Sequence, residues 1–285
     1  MTTPTRPLLR YHGGKWTQRR HILAYMQTPH TVFLSWFAGG GSVEMMKPRV
    51  HTEVWNDRWG LVVNLYRVLR NRSQAAELER LLRLTPYARD EWNYVNSLDW
   101  STVTDPVELA RLMIFRSFSG YGSGSTNPNY STGFRGSSSR SGFGPSRDWQ
   151  NYPDQISRFT DRLQGITFEN LHYRNLPDKH DTLHTLHYAD PPYMLGTRNS
   201  NGEVYAYEMT DADHAEFLTM ALRMNGQMII SAYETDLYND LLTDWTKVQY
   251  GAIADGGRDR TETLYINPYC ASLQRKRVRQ ASLKF

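Results

Sequence analysis

The strongest constraint on this chain is residues 183–193, where a predicted β-strand runs directly into two prolines. Apolar residues alternate over the first half of the segment, as they do in a strand with one buried face. Pro191 and Pro192 have no backbone N–H to give to a sheet ladder, so the strand has to end at Asp190. The pattern therefore predicts a carboxylate at the carboxyl end of a strand, followed by a stiff turn that projects the ring of Tyr193.

The residue types of this turn suit chemistry on an exocyclic amine such as that of adenine. The lone pair of such an amine is delocalised into the ring, so the nitrogen is a poor nucleophile. The Asp190 carboxylate and the Pro191 carbonyl can accept its two hydrogens and free the lone pair, and Tyr193 offers a face for an extruded base. An ordinary exit from a strand into a turn is the alternative interpretation.

A second predicted site follows the first strand, at residues 31–37. The glycines at 39–41 let the backbone turn tightly and approach a ligand, and a short helix predicted at 43–47 would point its amino end there. The second strand, residues 53–56, ends at Asp57, an acid suited to accept hydrogen bonds from ribose hydroxyls. Since the glycine spacing of a dinucleotide fingerprint is missing, the pattern predicts an adenosine-containing cofactor without saying which one.

Gly13, Gly14 and Lys15 precede an amphipathic helix. Backbone N–H groups and an ammonium at a helix start can bind an anionic group. The stretch is too short to form a Walker phosphate loop, so it is a weak signal in isolation.

From residue 165 onward, predicted strands and helices alternate, and the last two strands, at 247–253 and 263–266, follow each other closely. This alternation is typical of an α/β fold with a mostly parallel, doubly wound sheet, and the closing pair predicts an antiparallel edge strand. Asp105 and Thr210 mark two predicted helix starts.

The composition narrows the class of protein. One cysteine, Cys270, excludes a disulfide framework and a cysteine-based zinc cluster, and we expect no metal site. No segment resembles a signal peptide or a membrane span, so we expect a soluble, cytoplasmic protein.

Basic residues are concentrated in two segments without acids. The lysines and arginines of residues 271–285 account for the net positive charge of the chain. The other segment contains residues 117–146, in which 17 of 30 positions are glycine or serine and several are aromatic. Such a stretch cannot build a core of its own, and its arginines with interleaved aromatics favour a loop that wraps a nucleic acid and orders on binding. A disordered linker is the alternative.

Taken together, the motifs resemble a Dam-like DNA adenine-N6 methyltransferase, of the group whose cofactor motifs precede the catalytic one. The matching motifs fall in family order: Tyr-His-Gly-Gly-Lys at 11–15, Phe-Ala-Gly-Gly-Gly at 37–41, Asn-Asp at 56–57, Asp-Pro-Pro-Tyr at 190–193 and Glu-Thr-Leu at 262–264. The resemblance implies a Rossmann-like methyltransferase sheet, S-adenosyl-L-methionine as cofactor and double-stranded DNA as partner. The oligomeric state stays open between monomer and weak dimer.

The resemblance also implies a division of the chain and a set of roles. Residues 1–66 and 165–285 would form the catalytic domain, and residues 67–164 an inserted, mainly helical DNA-recognition region. The expected catalytic residues are Asp190, Pro191, Pro192 and Tyr193. The residues expected to contact the cofactor are Tyr11, Lys15, Phe37, Gly39, Gly41, Asp57 and Asp190. The residues expected to contact DNA are Arg116, Ser119, Tyr121, Arg135, Arg140 and Arg147.

Two positions depart from the family pattern. Ser35 stands where an acid usually precedes the aromatic residue of the glycine motif, and Tyr173 follows the third strand where an acid is common.

Two other functions stay open at this stage. Methylation of the exocyclic amine of cytosine would use similar chemistry, although such enzymes usually have serine in place of Asp190. A non-catalytic DNA-binding protein could keep the same fold without binding the cofactor, which the Ser35 departure leaves open. Methylation of cytosine C5 is disfavoured because the chain has no Pro-Cys nucleophile.

Overall fold

A computed structural model describes residues 3–136, 144–176, 179–197, 204–253 and 259–282. Within these residues, seven strands form one mixed sheet with the spatial order β3-β2-β1-β4-β5-β7-β6. The strands are β1 (Val32–Ser35), β2 (Thr52–Asn56), β3 (Thr167–Glu169), β4 (Thr185–Ala189), β5 (Gln227–Ala232), β6 (Thr246–Ile253) and β7 (Asp259–Ile266).

The sheet reverses its winding direction between β1 and β4. From β1 the chain builds outward through β2 to β3, and from β4 it builds the other way through β5, with parallel pairing throughout. β7 then inserts antiparallel between β5 and β6, which confirms the predicted mostly parallel sheet with antiparallel pairing at one edge. In open α/β sheets, ligands bind outside the carboxyl ends of the strands at such a reversal.

Helices cover the sheet and fill the connection between β2 and β3. Within the described residues the α-helices are α1 (Arg19–Tyr25), α2 (Gly60–Arg70), α3 (Arg72–Leu84), α4 (Arg89–Ser97), α5 (Pro106–Ser119), α6 (Pro145–Gln150), α7 (Ile156–Leu163), α8 (Asp211–Ala221), α9 (Asp236–Leu241) and α10 (Pro268–Ser282). Buried side chains of α2, α3, α5 and α7 share one hydrophobic core with one face of the sheet.

The expected boundary between residues 66 and 67 falls inside α2. The Tyr66 ring stacks on Phe168 of β3 at a centroid distance of 5.1 Å, and its hydroxyl donates to the Gly39 carbonyl at 2.7 Å. These contacts pack α2 against the sheet, and its other buried residues share the core with α3, α5 and α7.

The local signals for helix ends have mixed outcomes. The Asp105 side chain accepts from the Val107 N–H at 2.9 Å, and Thr210 forms a reciprocal capping box with Asp213, so both predicted starts are confirmed. The helix predicted at 43–47 is wrong, because this segment forms hydrogen-bonded turns and not a regular helix before Pro48.

The described part of the glycine- and serine-rich segment, residues 117–136, packs against the amino-terminal segment. The Ser117 hydroxyl accepts from the Arg10 N–H at 2.7 Å, and the Thr126 hydroxyl donates to the Arg10 carbonyl at 2.9 Å. The Asn127 amide donates to the Val204 carbonyl at 3.2 Å. These hydrogen bonds join the described part of the segment to Arg10 and to Val204.

No described helix combines the length and the apolar character that crossing a lipid bilayer requires.

A buried arginine ties the inserted helices to the sheet. Arg162 of α7 donates to the Glu53 carboxylate of β2 at 2.7 Å and to the carbonyls of Glu44 and Lys47 at 2.7 and 3.2 Å. Since the Arg162 and Glu53 side chains are 9% and 3% exposed, water cannot replace these bonds.

We predict that Arg162→Ala lowers the free energy of unfolding by about 3 to 5 kcal/mol, because Glu53 keeps a buried charge without its partner. Urea denaturation followed by circular dichroism measures the change. Arg80→Ala, which breaks an exposed pair with Glu77 on α3, is the matched control and should change stability little. A loss for Arg162→Ala no larger than that of the control would contradict this prediction.

Candidate active site

The carboxyl ends of β1 and β4 lie side by side and open into two adjoining cavities. Ser35 pairs with Tyr188 across the two strands, so the glycine turn that follows β1 faces Asp190, which follows β4. The wider cavity has a volume of about 710 Å³ and the narrower one about 390 Å³. Both are lined by Tyr11, Phe37, Gly39, Asp190 and Tyr205.

Glycine is required at two positions of the turn. Gly39 has φ = +49° and Gly41 has φ = +65°, a region that side chains disfavour. A Cβ at Gly39 would lie 2.9 Å from the Tyr11 ring, and one at Gly41 would lie 2.8 Å from the Tyr66 hydroxyl. The backbone of the turn therefore packs directly against the Tyr11 ring, with no room for a side chain at Gly39.

Asp57 ties this turn to the end of β2. Its carboxylate accepts from the Gly39 N–H at 2.7 Å and from the Trp59 N–H at 2.7 Å. Burial raises the pKa of Asp57 to about 6, while the two N–H groups oppose the rise. Asp57 lines the wider cavity, and each carboxylate oxygen retains a lone pair for a ligand hydroxyl.

Lys15 places a buried ammonium against the Asp-Pro-Pro-Tyr turn. Its Nζ lies 2.7 and 3.0 Å from the two carboxylate oxygens of Asp190, 2.8 Å from the Gly13 carbonyl and 2.5 Å from the Tyr193 hydroxyl. Glu262 of β7 approaches the same Nζ at 3.9 Å and accepts from the Tyr193 hydroxyl at 2.6 Å. One cation and two carboxylates thus meet where three distant parts of the chain converge.

The electrostatics of this cluster follow from its burial. Burial alone would lower the pKa of Lys15, but the Asp190 and Glu262 carboxylates outweigh burial and raise it, so the ammonium stays charged. Burial raises the pKa of Asp190 to about 6 even though Lys15 opposes the rise. The Asp190 side chain keeps 18% of its surface exposed, and that part faces the two cavities.

Tyr193 is held rigidly from two directions. Its ring stacks on Tyr233 with a centroid distance of 4.3 Å, and its hydroxyl is bound by Lys15 and Glu262.

The family scan matches residues 11–252 to the D12 class N6 adenine-specific DNA methyltransferase model. The chain belongs to this family of enzymes. The match spans the glycine turn, Asp57 and the Asp-Pro-Pro-Tyr turn, so the methyltransferase has its motifs in the cleft just described. A comparison with curated proteins finds no match.

Sequence reasoning gave no role to several residues near the methyltransferase cleft, and Glu262 is the clearest case, because it was noted only as the start of the Glu-Thr-Leu motif. On β7 it alternates with Leu264 and Ile266, so an acid stands on an otherwise apolar strand face. This interruption of the apolar pattern could have indicated a functional residue from the sequence alone. Glu44 and Tyr205, which also line the narrower cavity, carry no comparable signal because turns and loops admit most residue types.

The residues expected to contact DNA fall into different settings. Arg116 is buried and donates to the carbonyls of Ser125, Asn127, Pro128 and Tyr130, so it holds the loop from inside. The Ser119 hydroxyl is also buried and donates to the Phe115 carbonyl at 2.6 Å. The structure therefore gives Arg116 and Ser119 internal roles.

Of the other four residues expected to contact DNA, three are exposed or partly exposed and one lies outside the described residues. Tyr121 is 74% exposed, Arg147 is exposed and Arg135 is partly exposed. Arg140 lies in residues 137–143, which the structure does not describe.

The two departures from the family pattern are both buried. The Ser35 hydroxyl donates to the Glu44 carboxylate at 2.7 Å, and Tyr173 packs against Phe37 and lines the wider cavity. Across the ranges that the structure describes, no cluster of three or more His, Cys, Asp or Glu side chains could hold a metal ion.

We predict that Lys15→Met lowers the free energy of unfolding by about 3 to 5 kcal/mol at pH 8, because Asp190 and Glu262 lose their buried counter-ion. The loss should be smaller at pH 5. The pKa of Asp190 is already raised in the folded state and would rise further, so the folded variant binds more protons than the unfolded chain and gains stability as the pH falls.

Urea denaturation at both pH values measures this dependence. Lys247→Met, which removes a half-exposed lysine paired with Glu234, is the control and should show a small loss that is equal at both pH values. If Lys15→Met loses as much unfolding free energy at pH 5 as at pH 8, or more, the ammonium does not neutralise the Asp190 and Glu262 carboxylates.

Proposed function

We propose that this methyltransferase transfers the methyl group of S-adenosyl-L-methionine to N6 of an adenine rotated out of double-stranded DNA. The observation that carries the proposal is the shared cleft: Asp190 and the glycine turn at 39–41 line the same narrow cavity. A cofactor bound along the turn would therefore present its reacting group beside the carboxylate that handles the target amine.

The cleft fits an elongated cofactor with a nucleoside at one end. Asp57 lines the wider cavity with carboxylate lone pairs suited to ribose hydroxyls, and Tyr173 and Phe37 add aromatic surface for a base. The narrower cavity continues under the glycine turn past Tyr11 and Gly41. When bound, S-adenosylmethionine supplies a methyl group carried on a sulfonium.

The proposed roles of the catalytic residues follow from their positions. The Asp190 carboxylate and the Pro191 carbonyl accept the two hydrogens of the adenine amine, which frees the nitrogen lone pair for attack. Pro192 stiffens the turn that carries these acceptors. With a pKa near 6, Asp190 is ionised at neutral pH and can afterwards take up the proton lost by the methylated amine and release it to solvent.

Lys15 acts on this chemistry through Asp190. Its ammonium fixes both carboxylate oxygens and the Tyr193 hydroxyl, which holds the acceptor and the aromatic ring in one orientation. The Tyr193 ring is buried and backed by Tyr233, so its proposed part is to hold the turn that forms the wall beside the extruded adenine.

We further propose that residues of the region 67–164 contact the DNA. The exposed Tyr121 belongs to the loop that touches the rim of the cleft, where Ser123 lies within 3.1 Å of His12 Nδ1. Arg135 and Arg147 would contact phosphates near this rim. Of the rival functions, methylation of cytosine is disfavoured by Asp190 and by the adenine-specific family, and a non-catalytic protein would fail the assay below.

We predict that the wild-type protein transfers labelled methyl groups from S-adenosylmethionine to duplex DNA, with N6-methyladenine recovered after digestion. Asp190→Asn should slow the transfer by about 10²- to 10³-fold, because the amide replaces a charged acceptor by a weaker one. Asp211→Asn, at the exposed start of α8, is the control and should act like wild type. Equal rates for wild type and Asp190→Asn would remove the catalytic claim.

We predict that Tyr121→Ala weakens binding to duplex DNA about 5- to 100-fold, the range expected for the loss of one aromatic contact to a base. The affinity for S-adenosylhomocysteine should stay unchanged, because the residue lines neither cavity. Fluorescence anisotropy and calorimetry measure the two affinities. Unchanged DNA affinity would show that this loop lies away from the DNA.

A further inference from the structure

We propose that Glu44, together with the Tyr188 hydroxyl, binds the amino-acid end of S-adenosylmethionine, with Glu44 paired to the ammonium. The inference rests on the cofactor proposed above and adds the subsite that recognises its charged end.

The position of Glu44 gives the first reason. It lies three residues after Gly41, lines the narrower cavity and is 2% exposed. The Ser35 hydroxyl donates to one carboxylate oxygen at 2.7 Å and so fixes the side chain. Ser35 is therefore a positioning residue for Glu44.

The charge balance around Glu44 gives the second reason. In the part of the chain that the structure describes, no lysine, arginine or histidine forms an ion pair with this carboxylate. Lys15, the nearest cation lining the same cavity, is bound to Asp190. A buried carboxylate without a counter-ion is costly, and burial raises the pKa of Glu44 to about 7. A ligand ammonium in the cavity would remove that cost.

The Tyr188 hydroxyl gives an independent reason. Tyr188 pairs with Ser35 in the sheet, is 1% exposed and lines the same cavity as Glu44. Among the described residues its hydroxyl has no hydrogen-bond partner. Buried hydroxyls nearly always have one, so this group is suited to donate to an acceptor that a ligand brings.

The two groups together indicate which charged groups the ligand carries. A carboxylate and a hydroxyl donor in one cavity match a group that carries both an ammonium and a carboxylate. The cavity joins the wider one at Gly39 and Asp190, where the nucleoside and the reacting centre of the cofactor are proposed to lie. The amino-acid end of the same molecule would then extend beneath the glycine turn.

Calorimetry with two ligands tests this subsite without methyl transfer. S-Adenosylhomocysteine carries the amino-acid group, whereas 5′-methylthioadenosine keeps the nucleoside and sulfur but lacks it. Glu44→Gln should weaken S-adenosylhomocysteine binding at least about tenfold, the effect of losing a charge-assisted hydrogen bond, and leave 5′-methylthioadenosine within about twofold of wild type. Tyr188→Phe should shift the same ratio of affinities in the same direction.

Two further variants separate recognition from folding. Glu53→Gln removes a different buried acid that lines neither cavity, so it should leave the ratio of the two affinities unchanged even if the protein loses stability. Ser35→Ala deletes only the hydroxyl that holds Glu44 and should weaken S-adenosylhomocysteine selectively, by a smaller factor.

An unchanged ratio in both Glu44→Gln and Ser35→Ala would overturn the subsite while leaving the proposed function standing. Absence of binding of both ligands to the wild-type protein would instead contradict the proposed cofactor site, and the inference with it.

Discussion

The buried ammonium of Lys15 holds the methyl-transfer centre together. It joins the amino-terminal segment to Asp190 after β4 and, more distantly, to Glu262 on β7. Because a lone charge cannot be buried without large cost, the three side chains stabilise one another only while the sheet keeps these parts of the chain together. The Tyr193 hydroxyl lies in the same network, so the orientation of the aromatic ring depends on it as well.

The sheet supplies the frame for this cluster. Its winding reverses between β1 and β4, which brings the glycine turn and Asp190 to one edge. Asp57 then fastens the glycine turn to the end of β2 through two backbone N–H groups. The proposed cofactor site and the proposed amine acceptor thus lie at adjacent strand ends, which limits how far apart the two reacting groups can move.

Much of this arrangement could be predicted from the sequence, because the residue types at the strand ends are distinctive. Two prolines marked the end of the strand at Asp190, and the three glycines at 39–41 marked the turn after β1. The mostly parallel, doubly wound sheet was predicted from the family resemblance and from the alternation of strands and helices. These features depend on residues that are close in sequence, where backbone constraints are decisive.

The features that sequence reasoning missed depend on long-range packing. Glu262 reaches Tyr193 only because β7 inserts between β5 and β6. Arg116 looked like a DNA contact because it stands beside a glycine-rich segment, yet four carbonyls of that segment surround its guanidinium. Glu44 lay in a predicted helix that the structure replaces by turns, so no local pattern indicated that it lines the cavity. A charged residue near a motif can therefore either stabilise the fold or bind a ligand, and only the three-dimensional structure distinguishes these two roles.

The central claim is that Asp190 and the Pro191 carbonyl accept the amine hydrogens of an extruded adenine. A crystal structure of the protein with S-adenosylhomocysteine and a duplex containing its target adenine tests it most directly. The account predicts that the adenine leaves the stack and that its N6 lies about 3 Å from both acceptor oxygens, with the cofactor sulfur on the side of the glycine turn. An adenine that stays stacked in the duplex, or an amine bound away from Asp190, would contradict it.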